Sequence, residues 1–245
     1  MTQPKLSQQT KTGRVYRDPI SGVRVPSVTT IISAGYPKPA LIGWAAKMAA
    51  QYTIKNWDFL EGLSDPEKER KIKTAHVRSS DKAADLGTHV HAVCDAWQSG
   101  RPFPEWSAAA DPYMSEFVSF LIDKKPKYKF LEVTLWSEGH GYAGTADFIA
   151  EIDGKVTYGD IKTGKSVWPE VGMQLSALGH ADYIIRPDGT REEMPPPEAY
   201  AALHLRPRSW ELVYIDHSEE CFSAFLACKE ILNWTHGIAP TVLRK

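Results

Sequence analysis

The sequence is poor in cysteine, in long apolar runs and in net charge, and each shortage removes a class of protein. Only Cys94, Cys221 and Cys228 occur in 245 residues, with no CxxC pair. That excludes a disulfide framework and suits a reduced, cytoplasmic compartment. Three thiols are also too few for a four-cysteine iron–sulfur cluster or zinc ribbon within one chain. No stretch approaches the roughly 18 apolar residues of a membrane span, so no membrane partner is expected. The opening MTQPKLSQQTKTGRVYRDP is polar and lacks the apolar core of a signal peptide. With a formal net charge of −1, any polyanionic partner must be met by a local basic surface.

What is present is ordinary for a folded chain: 42% hydrophobic, 11% aromatic and 24% charged residues. This is enough to bury one full core. Residues 1–12 read as a flexible tail and 13–245 as a single domain. Pro39 opens an Ala- and Trp-rich helix (ALIGWAAKMAAQYTIKNW). A second helical stretch starts near Asp65-Pro66 and runs to Trp97, with a break expected around Ser79-Ser80. DPYMSEFVSFLIDKK is a third helix, completing a mainly helical part over 13–125. From 126 to 216 the pattern turns to strands. KFLEVTLW, YAGTADFIAEI and KVTYGDIKTG form a three-stranded meander with Asp153-Gly154 as its second turn. A helix follows from about Trp168 to Tyr183, then a proline-rich loop, then the hairpin AYAALHLR/WELVYID. A last helix occupies most of 217–245. The class is α/β (α+β): a central mixed sheet flanked by helices, with a helical N-terminal extension.

Strand residues two apart share a face, which sets Asp160 beside Lys162. Alone, such a D-x-K triplet is usually a simple ion pair. Counting back through the Asp153-Gly154 turn brings Asp147 to the same end, and folding about SEGHG brings Glu132 opposite Asp147. Gly144 would let a ligand or another backbone approach. Clustered carboxylates repel unless a cation neutralises them, and hard oxygen ligands suit Mg²⁺ or Mn²⁺.

Upstream, LGTHVHAVCD carries His89 and His91. Two residues apart on a helix, they point about 200° from each other and cannot share a metal. That counts against a zinc hydrolase built from His89, His91 and His140. His91 and Asp95 do share a face, which favours His91 as the functional histidine over one that merely caps or packs.

Together these segments resemble the PD-(D/E)XK nuclease superfamily, in its RecB-like and phage-exonuclease branch. The motifs are Gly87-Thr88-His89-Val90-His91, Gly144-Thr145-Ala146-Asp147, Asp160-Ile161-Lys162-Thr163 and Gln174-Leu175-Ser176-Ala177-Leu178. The resemblance implies a restriction-endonuclease-like core. It implies that His91, Asp147, Asp160 and the backbone carbonyl of Ile161 hold one or two Mg²⁺ or Mn²⁺ ions. Glu132 is a further candidate ligand and Asp95 a supporting residue. Lys162 would orient or activate the attacking water, and Gln174 would steady the site. Leu178 stands where the family has tyrosine, and the iron–sulfur cysteines of the CRISPR-associated relatives are absent. No nucleotide cofactor is expected.

The implied activity is metal-dependent hydrolysis of DNA, as an exonuclease of phage-type recombination, repair or processing. The setting would be the cytoplasm, that of the host if the chain is phage-encoded. A structure-specific or restriction-type endonuclease on the same core is the alternative. A DNA-binding module with an inactive nuclease fold is the alternative of another class. Lys68, Arg70, Lys71, Lys73 and Arg78, with Lys124 and Lys125, are the candidate DNA contacts. The partners allowed besides DNA are a second copy of the chain or a recombination protein.

Overall fold

The computed structural model describes residues 6–102, 104 and 108–243, without the side chains of 80–83. Where the sequence suggests one domain from residue 13, the chain forms two compact units, Pro37–Thr88 and the rest.

The larger unit opens with a small antiparallel sheet, β1 (Ser7–Thr10), β2 (Gly13–Arg17) and β3 (Arg24–Pro26). The first residues are therefore not all a tail: β1 pairs with β2 from Ser7↔Tyr16 to Thr10↔Gly13. Leu6 anchors that edge by packing with Tyr16, Val25, Trp136, Ala143 and Ile185. The first five residues of the expected tail lie outside the described ones. Helix α1 (Val28–Gly35) starts at Ser27, whose hydroxyl accepts from the Thr30 N–H at 3.0 Å. It buries Val28, Ile31 and Ile32, the i, i+3, i+4 stripe of an amphipathic helix.

The smaller unit holds α2 (Pro39–Lys55), α3 (Trp57–Glu61), α4 (Asp65–Lys73) and the first half of α5 (Ala75–Gln98). Pro39 sits in the first turn of α2, as its fixed φ allows. Ser64 and Glu67 form a capping box ahead of α4, with Ser64 N–H donating to Glu67 Oε2 at 3.1 Å. The expected break near Ser79-Ser80 falls instead at Thr74, between α4 and α5. Its hydroxyl bonds back to the Arg70 carbonyl at 2.8 Å, competing with the regular ladder. Although α2 is rich in apolar residues, none of them is buried.

The chain continues through α6 (Asp111–Lys124), β4 (Lys127–Ser137), β5 (Tyr142–Ile152), β6 (Lys155–Lys162) and α7 (Glu170–Gly179). Next come β7 (Tyr183–Ile185), β8 (Arg191–Glu192), β9 (Ala199–Arg206), β10 (Ser209–Tyr214) and α8 (Ser218–Asn233). Seven strands form one mixed sheet in the order β10-β9-β6-β5-β4-β7-β8, with β6 and β9 parallel. The expected central mixed sheet flanked by helices is what the chain builds. Asp153 and Gly154 both have positive φ, the geometry of a tight two-residue hairpin. Helix α7 ends four residues earlier than expected, because Tyr183–Ile185 leaves it to pair with the edge of β4.

One face of the sheet is closed by α1, α7 and α8. Tyr142 Oη donates to the Ala177 carbonyl at 2.7 Å, and its ring meets that of Phe225 at 4.8 Å. Fully buried side chains such as Phe225, Leu175 and Ile31 each contribute about 2–3 kcal/mol through area removed from water. On the other face Gln98 of α5 bonds Tyr128 at 2.7 Å, and Phe120 of α6 meets Trp210 at 5.4 Å.

Candidate active site

The site lies where the meander opens. The ladder between β5 and β6 ends at Phe148↔Gly159. A Cβ on Gly159 would stand 1.9 Å from Phe148 Cζ, so only glycine lets the strands close there. One step further Asp147 and Asp160 come opposite each other and the strands part. Asp147 Oδ2 takes the free Ile161 N–H at 2.6 Å.

On the other side, Leu131↔Phe148 and Val133↔Ala146 bracket Glu132 and set it opposite Asp147. Strand alternation slips at this pair. Phe130, Val133 and Leu135 pack in one core, as do Ile149, Ala146 and Tyr142, although 130/133 and 146/149 differ by an odd number. Glu132 absorbs the slip with φ +47°, a region costly for a residue with a Cβ. Both acids are thereby turned out of the regular pleat.

His91 reaches the same point from α5, its Nδ1 lying 3.3 Å from Asp147 Oδ2. Single ligand atoms of His91, Glu132 and Asp147 all lie within 4.8 Å of one another. His89, two residues earlier, has a buried Nε2 without a hydrogen-bond partner among the described residues and is not in this group. His140 packs on Tyr142 and Phe222, so a zinc trio with His89 and His91 does not assemble. Asp95 shares the His91 face of α5 but pairs with Arg101, a partner its helical spacing did not suggest.

A second constellation adjoins the first. Lys162 Nζ lies 2.5 Å from Asp160 Oδ2. Gln174 Nε2, from α7, donates to Asp160 Oδ1 at 2.6 Å, and Lys162 Nζ donates to Gln174 Oε1 at 3.4 Å. Asp160 Oδ2 accepts no regular hydrogen bond, so the Lys162 ammonium is its partner. Gly144 admits neither ligand nor backbone. The Leu178 and Val28 side chains fill the place of its Cβ, at 2.6 and 3.0 Å. For Ile161, the structure records the N–H on Asp147.

Electrostatics follow from crowding. Burial pushes Glu132 up, and the Asp147 charge adds to it, to about 8. Its side chain is itself exposed, and the Asp147 carboxylate lies close beside it. Burial disfavours the His91 cation, but Asp147 outweighs it and raises His91 to about 9. Asp147 is also opposed by burial, and His91 with the Ile161 N–H holds it below its ordinary value. Asp160 is raised, chiefly by burial and then by Asp147, with Lys162 pulling the other way. Lys162 stays charged against burial because Asp160 faces it. Two carboxylates and an imidazole converging on one point fit a hard or borderline divalent cation.

The candidate DNA contacts divide. Lys124 pairs with Asp153 at 2.5 Å, about 20 Å along β5 from Asp147 at roughly 3.3 Å per residue. Lys125 holds the left-handed cap of α6. Lys68 pairs with Asp65, Lys71 lies over the Phe59 ring, and Arg78 over that of Tyr52. Arg70 and Lys73 stand in the last turn of α4 without an ion pair among the described residues.

Two further residues went unmarked in the sequence. Tyr16 Oη and Thr145 Oγ1 lie 2.8 Å apart, joining the N-terminal sheet to the strand that carries Asp147. His204 is buried in β9 in register with Lys162. As the lone histidine in AYAALHLR, it was the available signal.

No protein-family model matches the chain, and no curated protein matches it. Among the described residues, no helix is long and apolar enough to cross a membrane.

Proposed function

We propose that the chain is a metal-dependent nuclease that hydrolyses phosphodiester bonds in DNA, acting as an exonuclease in recombination, repair or processing. The observation that carries this reading is the junction of two constellations at one strand opening: His91–Glu132–Asp147 and Asp160–Lys162–Gln174. An ordinary surface ion pair needs neither the second acid pair nor a strained backbone beneath it.

His91, Glu132 and Asp147, with Asp160 and the Ile161 carbonyl beside them, would hold Mg²⁺ or Mn²⁺. What such a cation supplies is polarisation of a phosphoryl oxygen and acidification of the attacking water. The protein's own groups do the rest. The Ile161 N–H fixes Asp147 Oδ2, and Gln174 fixes Asp160 Oδ1. Lys162 is held as an ammonium by the facing Asp160 carboxylate, with its end open enough to offset phosphate charge. The same cation orients the attacking water. Arg70 and Lys73, cations without an ion pair among the described residues, are the candidates left on α4 for contact with the DNA backbone. A cytoplasmic setting suits Cys94, Cys221 and Cys228, all free thiols. The test is digestion of linear DNA with Mg²⁺ or Mn²⁺, stopped by a chelator.

A further inference from the structure

His204 is a buried titratable group that the chemistry above does not use. It lies on β9, parallel to β6, and the register sets Asp160↔Ala202 and Lys162↔His204. Paired residues of parallel strands project to the same side, so His204 shares the face of Asp160 and Lys162. It is 4% exposed, and its Nε2 lies 2.7 Å from the Gly164 carbonyl oxygen. A carbonyl only accepts, so Nε2 carries the proton and donates.

Gly164 is two residues beyond Lys162, at the start of the segment that leads to α7 and Gln174. The far end of that segment is tied by Val171 N–H to the Trp168 carbonyl at 3.0 Å and Gly172 N–H to the Pro169 carbonyl at 2.9 Å. Between these ties Gly164, Lys165 and Ser166 are exposed. The segment therefore joins the two partners of Asp160, Lys162 on one side and Gln174 on the other, and His204 grips it next to the lysine.

We propose that His204 is a positioning residue for Lys162. By holding the Gly164 carbonyl it keeps the end of β6, and hence the ammonium, in place against Asp160 and Gln174. This rests on the nuclease reading, because the position matters only if Lys162 meets the phosphate. A glutamine can present its side-chain N–H₂ at about the depth of Nε2, whereas leucine fills the space without a donor.

The test compares wild type, His204→Gln and His204→Leu for kcat and KM on linear DNA with Mn²⁺, and for hydrogen exchange of the Ile161 amide, which is bonded to Asp147 at the end of β6. The expected result for His204→Leu is faster exchange of that amide and a kcat loss of about ten- to a hundredfold, the range that sub-ångström to one-ångström misplacement produces. Its KM should stay within about twofold, since the DNA-contacting surface is untouched. His204→Gln should recover most of kcat and the slow exchange. If His204→Leu fails to fold, the glutamine variant and wild-type exchange still decide: fast exchange of the Ile161 amide in folded wild type overturns the grip. Near-wild-type kcat in folded His204→Leu, or an equal loss in both variants, overturns the positioning role while leaving the nuclease reading intact. Wild-type protein that cuts no DNA overturns the nuclease reading itself.

Discussion

Glu132 and Asp147 face each other across β4 and β5 at the point where both strands change the side they present to the core. With His91 beside them they form a pocket of acidic oxygens that repel unless a cation intervenes. Mn²⁺ should therefore stabilise the folded chain by mass action, by about 2.7 kcal/mol at a hundredfold excess over Kd. For a chain of this size that is a rise of roughly 5–10 °C in Tm. Thermal melts with and without Mn²⁺ measure it, and Asp147→Asn should remove most of the rise.

Asp160 and Lys162 form an unequal pair, the carboxylate 5% exposed and the lysine side chain 31%. Lys162→Met strands a buried carboxylate, at a cost of about 3 kcal/mol at pH 8, the lower end for broken buried pairs because the lysine end sees water. The double change Asp160→Asn with Lys162→Met should regain at least half of that loss. Urea unfolding of the four proteins of the cycle gives the coupling. Additive effects would show that the two residues do not depend on each other.

Gly159 owes its identity to the Phe148 ring, which is fully buried and meets Tyr128 edge-on at 5.9 Å. Gly159→Ala should destabilise by about 1–3 kcal/mol through overpacking and should displace Asp160, lowering DNA cutting with it. Trimming the obstacle with Phe148→Leu in the same chain should recover part of both. Unfolding by denaturant and a cleavage assay on the single and double variants check this.

Away from the site, Asp18 is buried and accepts from Ile20 N–H at 2.8 Å and Ser21 N–H at 3.0 Å. Burial pushes its carboxyl up. The two amides and Arg191, 3.3 Å away, outweigh that and hold it below its ordinary 3.8. A depressed acid stabilises the fold above its unfolded value, and that contribution is lost as pH falls through the lower folded value. Asp18→Asn should cost about 1–2 kcal/mol at pH 6 and leave a shallower loss of stability below pH 4. Urea titrations from pH 6 to pH 3 read both.

Much of the arrangement was legible in the sequence for a local reason. Asp153-Gly154 specifies a tight turn, and once it is placed, counting residues sets Asp147 opposite Asp160 and Lys162 beside Asp160. The SEGHG turn likewise sets Glu132 opposite Asp147. What escaped depends on packing between distant segments. Strand parity assumes an unbroken pleat, so the slip at Glu132 could not be counted in advance. Gly144 looked like an opening, but Leu178 and Val28 fill it from two helices. Asp95 is drawn to Arg101, and Lys124 to the turn residue Asp153. The separate helical unit was hidden because α2 has the composition of a buried helix while burying none of its residues.

The most direct measurement is digestion of linear, covalently closed circular, single-stranded and end-blocked DNA by wild type, Asp160→Asn and Lys162→Met, each with Mg²⁺, Mn²⁺ or chelator. The account predicts that wild type degrades linear DNA with either metal, leaves closed circles intact and stops with chelator. Each variant should lose at least about a hundredfold in rate, the scale of removing one charge-stabilising group. Cutting that persists in chelator, or at near-wild-type rates in either variant, would contradict it.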